Sequence, residues 1–236
     1  MNELPIVRIH IVQAIEASGS PVPLAWLMER LASPSVALRV GAVHTLERVA
    51  HDAPDAHWPV MEFLCDFLHE RATWQGAEAP PALETHAELQ AVLDVLGRRA
   101  RRHEFGKEVR LDLNRLDLRG ANLVGAHLER SALNGTHLDG AALGACHLEY
   151  ATCQQACFDG AWMTGASLLG ANLRQASLRG ARVARTIFNG ATLEDAALAG
   201  VDLREARGLT PAQLARARTD AHTRLPETFD TEPGAR

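Results

Sequence analysis

The sequence predicts a square-coiled solenoid preceded by a helical segment, and three observations carry that prediction. The stretch from Leu118, LRGANLVGAHLERSALNGTHLDG, places leucine at 118, 123, 128, 133 and 138. The same period continues without insertion from Leu113 to Leu203, nineteen units in all, with a mostly small residue two places before each centre. Glycines recur every twenty residues, at 120, 140, 160, 180 and 200.

A period of five fits neither standard element. Five residues advance about 500° around a helix, so successive leucines would drift by about 140° and line no face. On a strand an odd step alternates faces and would send every second leucine into water. A coil with five residues per side turns one large and one small residue inward on each side, and each turn buries them against its neighbours. Four such sides make twenty residues, which explains the glycine spacing and predicts one corner column needing positive φ or close backbone approach.

Residues 1–108 read as helical. For the opening IVRIHIVQAIEA, the spacing of Leu4, Val7, Ile11 and Ile15 favours a helix over a strand. SPSVALRVGAVHTLERVAHD has Ser33 as N-cap, Pro34 in the first turn, and Val36, Val40, Val43 and Ala50 on one face. DAPDAHWPVMEFLCDFLHERA follows with Asp55 as cap and Trp58, Met61, Cys65 and Leu68 as its stripe. The Pro-rich TWQGAEAPPALE leads to a last helix carrying Leu89, Val92, Leu93 and Leu96. The coil spans 109–207, and 208–236 leave the repeat as a helix beginning at Thr210 and Pro211, then a tail. Phe105 is expected to plug the front of the coil and the Thr210 helix to cover its far end, because open β edges invite association.

Of the nineteen centres fourteen are Leu, the others being Cys153, Phe158, Met163, Val183 and Phe188, and twelve of the preceding small positions are Ala. The units ANLVG, ANLRQ, VDLRE and, loosely, AHLER resemble the A(D/N)LXX pattern of the pentapeptide-repeat family. The resemblance implies a mainly β fold, a right-handed quadrilateral β-helix of a little under five coils, with the α-helical segment in front. The segments VALRVGAVHTLERVA, DAHWPVMEFLCDFLHERA, LQAVLDVLGRR, GLTPAQLARA and HTRLP also resemble the flanks of bacterial members of undefined function. Those relatives often carry membrane helices; no run here is long and apolar enough to span a bilayer, so membrane attachment is not carried over.

The acid in MNELPIVRIHIVQAIE argues against a secretory signal and points to a cytoplasmic protein. Four cysteines without paired CxxC spacing read as reduced thiols, Cys146 and Cys153 facing inward and Cys157 outward. A net charge of -5 does not favour direct nucleic-acid binding. No sequence fingerprint of a nucleophile, P-loop, zincin or dinucleotide site is present, so no catalytic residue, cofactor or metal is expected.

Stacking residues twenty apart creates surface columns. Arg119, Asp139, Asp159 and Arg179 form one, whose end arginines can pair with the two aspartates. His127 over His147 and Glu129 over Glu149 form a metal-capable set, read preferentially as a surface ladder because a flat face offers no shell to orient ligands. Trp162 beneath Arg182, with Arg185, Arg204 and Glu205 nearby, is the expected docking spot. The basic run Arg98, Arg99, Arg101 and Arg102 suits a helix C-terminus. The candidate partner-binding residues are thus Trp162, Arg182, Arg185, Asp139 and Asp159.

Three functions compete: a protein-interaction scaffold, a gyrase-binding DNA mimic of the kind found in the family, and an enzyme. Residues 109–207 hold ten acids and ten arginines, a poor match to duplex charge. The sequence therefore favours a non-catalytic interaction module with an unidentified protein partner and leaves its oligomeric state open, a homodimer included.

Overall fold

The structure, a computed structural model, describes residues 23–104 and 110–227. The expectations for Leu4, Val7, Ile11, Ile15 and Phe105 lie outside the described residues.

Helix α1 (Leu24–Leu31) is followed by α2 (Val36–Asp52), α3 (Pro54–Ala72), the single turn α4 (Ala82–Thr85) and α5 (Glu88–Gly97). Helix α2 starts at Val36 with Ser35 as N-cap, two residues later than Ser33 and Pro34 imply, because the Ser33 hydroxyl accepts the Ser35 N–H and closes a local turn. Its buried face is Ala42, Val43, Leu46, Val49 and Ala50, and Val36 lies exposed. In α3, Pro54 occupies the first turn, where its missing N–H is not needed, and Asp55 is inside the helix rather than capping it. Met61, Cys65 and Leu68 are buried, and Trp58 is partly buried. All four expected apolar residues of α5 are buried.

From Asp112 to Ser177 each five-residue side contributes one bridged residue, paired in parallel with the residue twenty places later, as in Asp112 with Ala132 and His127 with His147. No longer strand forms among the described residues, because each side turns after that single bridge. All nineteen centres and all nineteen small positions are buried. Threonines at small positions satisfy their hydroxyls across coils, Thr136 to the Leu113 carbonyl at 2.5 Å and Thr186 to that of Met163 at 2.7 Å.

Positive φ recurs at every fifth residue from Arg115 to Gly200, on all four corners and not on one column. Ten of those residues are glycine and eight, including Gln155 and Arg185, are not. A side chain there costs about 1–2 kcal/mol, which the inter-coil hydrogen bonds offset. A Cβ at Gly120, Gly140, Gly160, Gly180 or Gly200 would meet nothing within 4 Å, so close approach does not explain why that column alone is all glycine.

The helices close the front of the coil. From Ala132 to Ala197 the bridged residues donate their N–H to the preceding coil, as His137 does to Leu116, and the first coil has no predecessor. Asp117 donates instead to the carbonyl of Ala72 at 2.5 Å, Asn122 to the Gln90 side chain at 3.0 Å, and His127 to the carbonyl of Gly97 at 2.8 Å. Three of the four sides are thus capped from α3 and α5. Helical and coil cores form one continuous apolar cluster.

At the far end, α6 (Pro211–Leu214) is a single turn, shorter than TPAQLARAR suggests, closed by a capping box between Thr210 and Gln213. Gln213 donates to the carbonyls of Phe188 and Ala191, and Leu209 and Leu214 are buried over the coil end. The chain then continues the ladder: Leu198 donates to Arg218 and Leu203 to Arg224.

Candidate functional site

The column Asn122, Ala142, Trp162 and Arg182 is bridged throughout. Trp162 is 55% exposed, and the Arg182 guanidinium carbon lies 4.2 Å from its ring centroid. Arg185 turns toward Glu205 at 3.9 Å, while Arg204 is tied to Asp202 at 2.6 Å. Among the described residues no carboxylate pairs with Arg182.

The ladder opens directly beyond this pair. Leu143 and Met163 donate to the carbonyls of Trp162 and Arg182, but Val183 makes no corresponding bond to Asp202, and no bridge joins Arg182 to Asp202 among the described residues. At the following corner the bond from Gly165 to Ala184 spans nineteen residues, whereas that from Arg185 to Glu205 spans twenty. The one-residue change of register leaves a recess of about 560 Å³, with Arg182, Asp202, Arg204, Glu205 and Glu227 among its walls.

The column of Asp139 and Asp159 is arranged differently from its end-to-end pairing in the sequence. Arg179 approaches Asp159 at 3.9 Å, and the Ser177 hydroxyl donates to the same carboxylate. Arg119, however, pairs with Asp117 at 2.7 Å and donates to the Ala79 carbonyl. Asp139 is left with His137, at 3.5 Å, and the Cys157 thiol, which donates to it at 3.0 Å. Burial and that hydrogen bond push the Cys157 thiol up to about 12. Trp74, from the segment after α3, stacks on His137 with ring centroids 3.4 Å apart. His137 and Trp74 carry no repeat signal and sit 63 positions apart, so the sequence reading missed their contact.

His127 and His147 stack at 4.6 Å, each sharing its Nδ1 with its own carboxylate, Glu129 at 3.0 Å and Glu149 at 3.2 Å. Arg101 pairs with Glu129 at 2.6 Å. Burial opposes ionisation of Glu129, but the His127 hydrogen bond and the Arg101 charge outweigh it and hold the carboxyl below its ordinary range. The basic run is therefore a seam as well as a helix terminus: Arg98 pairs with Glu47, and Arg99 with Glu104, the Leu96 carbonyl and the His127 carbonyl. The side chain of Arg102 lies outside the described set.

The family model described as pentapeptide repeats matches in eight copies over residues 112–149, 128–165 and 166–204. These residues are pentapeptide repeats. Among solved structures, the chain is similar to the pentapeptide repeat protein Rfr23 of the cyanobacterium Cyanothece 51142 at 28% identity. That match covers 42% of this chain and 64% of that one, with a TM-score of 0.35. It is similar to alr5209, a pentapeptide repeat protein of Nostoc PCC 7120, at 29% identity, covering 40% of this chain and 77% of that one with a TM-score of 0.34. QnrB1, a plasmid-mediated fluoroquinolone resistance protein, matches at 17% identity over 46% of this chain and 55% of that one, with a TM-score of 0.31. No curated protein matches the chain. No helix among the described residues is long and apolar enough to cross a membrane.

Proposed function

We propose that the protein is a cytoplasmic, non-catalytic interaction module. Its right-handed coil of a little under five turns (109–207) is closed by a helical segment (1–108) and a C-terminal cap (208–236), and presents the Trp162–Arg182 face to a protein partner. The observation that carries this reading is a large exposed aromatic under an arginine without a carboxylate partner, at the rim of a recess where the ladder is open. Tryptophan and arginine in such a setting are the usual anchors of a protein interface. The arginines at 174, 179, 182 and 185 favour a partner that presents a carboxylate beside an apolar side chain.

A DNA mimic acting on gyrase needs an unneutralised acidic surface. Here Asp117, Glu129, Glu194, Asp195 and Asp202 each face an arginine within 3.0 Å, which favours the interaction module. A photo-crosslinking residue placed at position 162 should capture one discrete protein, and that protein's affinity should fall about 30-fold or more in Arg182→Glu. Equal binding by wild type and Arg182→Glu removes this face, and loss of supercoiling in a gyrase assay would favour the mimic.

A further inference from the structure

We propose that His137, Asp139 and Cys157 form a transition-metal site of the zinc type. The proposal is independent of the docking face, which lies on another side of the coil. His137 and Cys157 are a bridged pair one coil apart, and Asp139 follows His137 by two residues into the corner. The donor atoms of all three lie within 4.8 Å of one another. Around a tetrahedral ion with bonds of about 2.0–2.3 Å, donors stand about 3.5 Å apart, so small side-chain movements complete the set. An imidazole, a carboxylate and a thiol together suit zinc or cobalt and exclude the all-oxygen preference of calcium and magnesium.

Two further features point to a cation. Asp139 Oδ2 is shielded from solvent and accepts no hydrogen bond, a state it shares with Glu129 Oε2 and Glu149 Oε2, and it faces His137 Nδ1 at 3.5 Å. No arginine pairs with Asp139 among the described residues, since Arg119 is committed to Asp117 and Arg179 lies by Asp159. A divalent ion supplies the missing positive charge in that column. Trp74 holds the ligand in place: it stacks on His137 with the planes 10° apart, carries the Arg119 guanidinium 4.8 Å from its own ring, and is anchored by its N–H to the Arg115 carbonyl at 3.0 Å.

The second cluster, His127, Glu129 and His147, also holds a shielded carboxylate oxygen, Glu129 Oε2, but its charge is already compensated. Arg101 already neutralises Glu129, and each imidazole is engaged with its own carboxylate. Binding at the proposed site breaks the Cys157 S–H bond, forms a bond from sulfur to the metal, and releases one proton to solvent with no change of oxidation state. A water completes the fourth position on the open side.

Cobalt(II) tests this directly on the full chain, stripped with chelator and kept reduced by a phosphine. The wild type should bind one cobalt per chain with a thiolate-to-cobalt charge-transfer band, and zinc should displace it. Cys157→Ser and His137→Ala should each weaken binding about 10-fold or more, and Cys157→Ser should remove the band. Cys65→Ser should change neither. Metal-free melting curves show whether the variants fold; should Cys157→Ser not fold, His137→Ala decides. A wild type without the band, a band that survives Cys157→Ser, or cobalt binding lost in His127→Ala but kept in His137→Ala overturns the site.

Discussion

The carbonyl of Gly97, the last residue of α5, accepts the N–H of His127 at 2.8 Å and closes one side of the first coil. The contact requires glycine, because a Cβ at position 97 would stand 2.9 Å from that of Ala126. A helix can deliver its end to a β edge this closely only where neither backbone carries a bulky side chain. The backbone edge of the first coil is therefore capped by α3 and α5.

Gly97→Val should destabilise the protein by about 1–3 kcal/mol, read as a lower urea midpoint. Gly41, mid-helix in α2 with nothing within 4 Å of an added Cβ, is the control: Gly41→Ala should stabilise by about 0.5–1 kcal/mol. Equal effects of the two substitutions would show that the seam is not close-packed.

The seam should fail in acid. Burial opposes the charge on Asp117, but the hydrogen bonds and charge of Arg119 hold its carboxyl below the usual range; Glu104 is held low by His57 and Arg99, and Glu129 by His127 and Arg101. With folded pKa values below the unfolded ones, the unfolded chain takes up protons first as pH falls. The stabilisation is complete above about pH 5 and drains away as the pH drops through about 4. Urea midpoints measured from pH 6 down to about pH 3 should decline more steeply for the wild type than for Asp117→Asn. Parallel declines would remove Asp117 from the account.

The open ladder at the docking face should be visible in amide exchange. Val183 makes no inter-coil bond, whereas its counterparts Leu143 and Met163 donate at 2.7 and 2.8 Å. By NMR, Val183 should exchange at least about 100-fold faster than Met163, although both side chains are buried. Comparable protection at the two amides would show that the coils close over the recess.

Much of the coil was legible because its instructions repeat. Leu128 and Phe158 are buried by the same rule, one large inward residue per five, and an error at one unit would have been exposed by its neighbours. The Trp162–Arg182 pair could be read from a spacing of twenty. The helix starts were less legible: Ser33 before Pro34 reads as a cap, but its hydroxyl closes a turn on the Ser35 N–H and the helix begins at Val36. The partner of Arg119 was misjudged because Asp117, two residues away, competes with Asp139, one coil away, and the nearer carboxylate is also oriented by the Ala82 N–H at 3.3 Å.

By itself the sequence determined the coil: a five-residue period in burial, repeated nineteen times, admits one geometry because every side must hide its apolar pair against the next turn. Tertiary structure alone decided what the coil presents and where it ends. The capping of Asp117, Asn122 and His127, the stacking of Trp74 on His137 and the break beyond Arg182 are each single contacts with no repeat behind them. Such contacts depend on where non-repeating segments meet the coil, and no periodicity in the chain records that meeting.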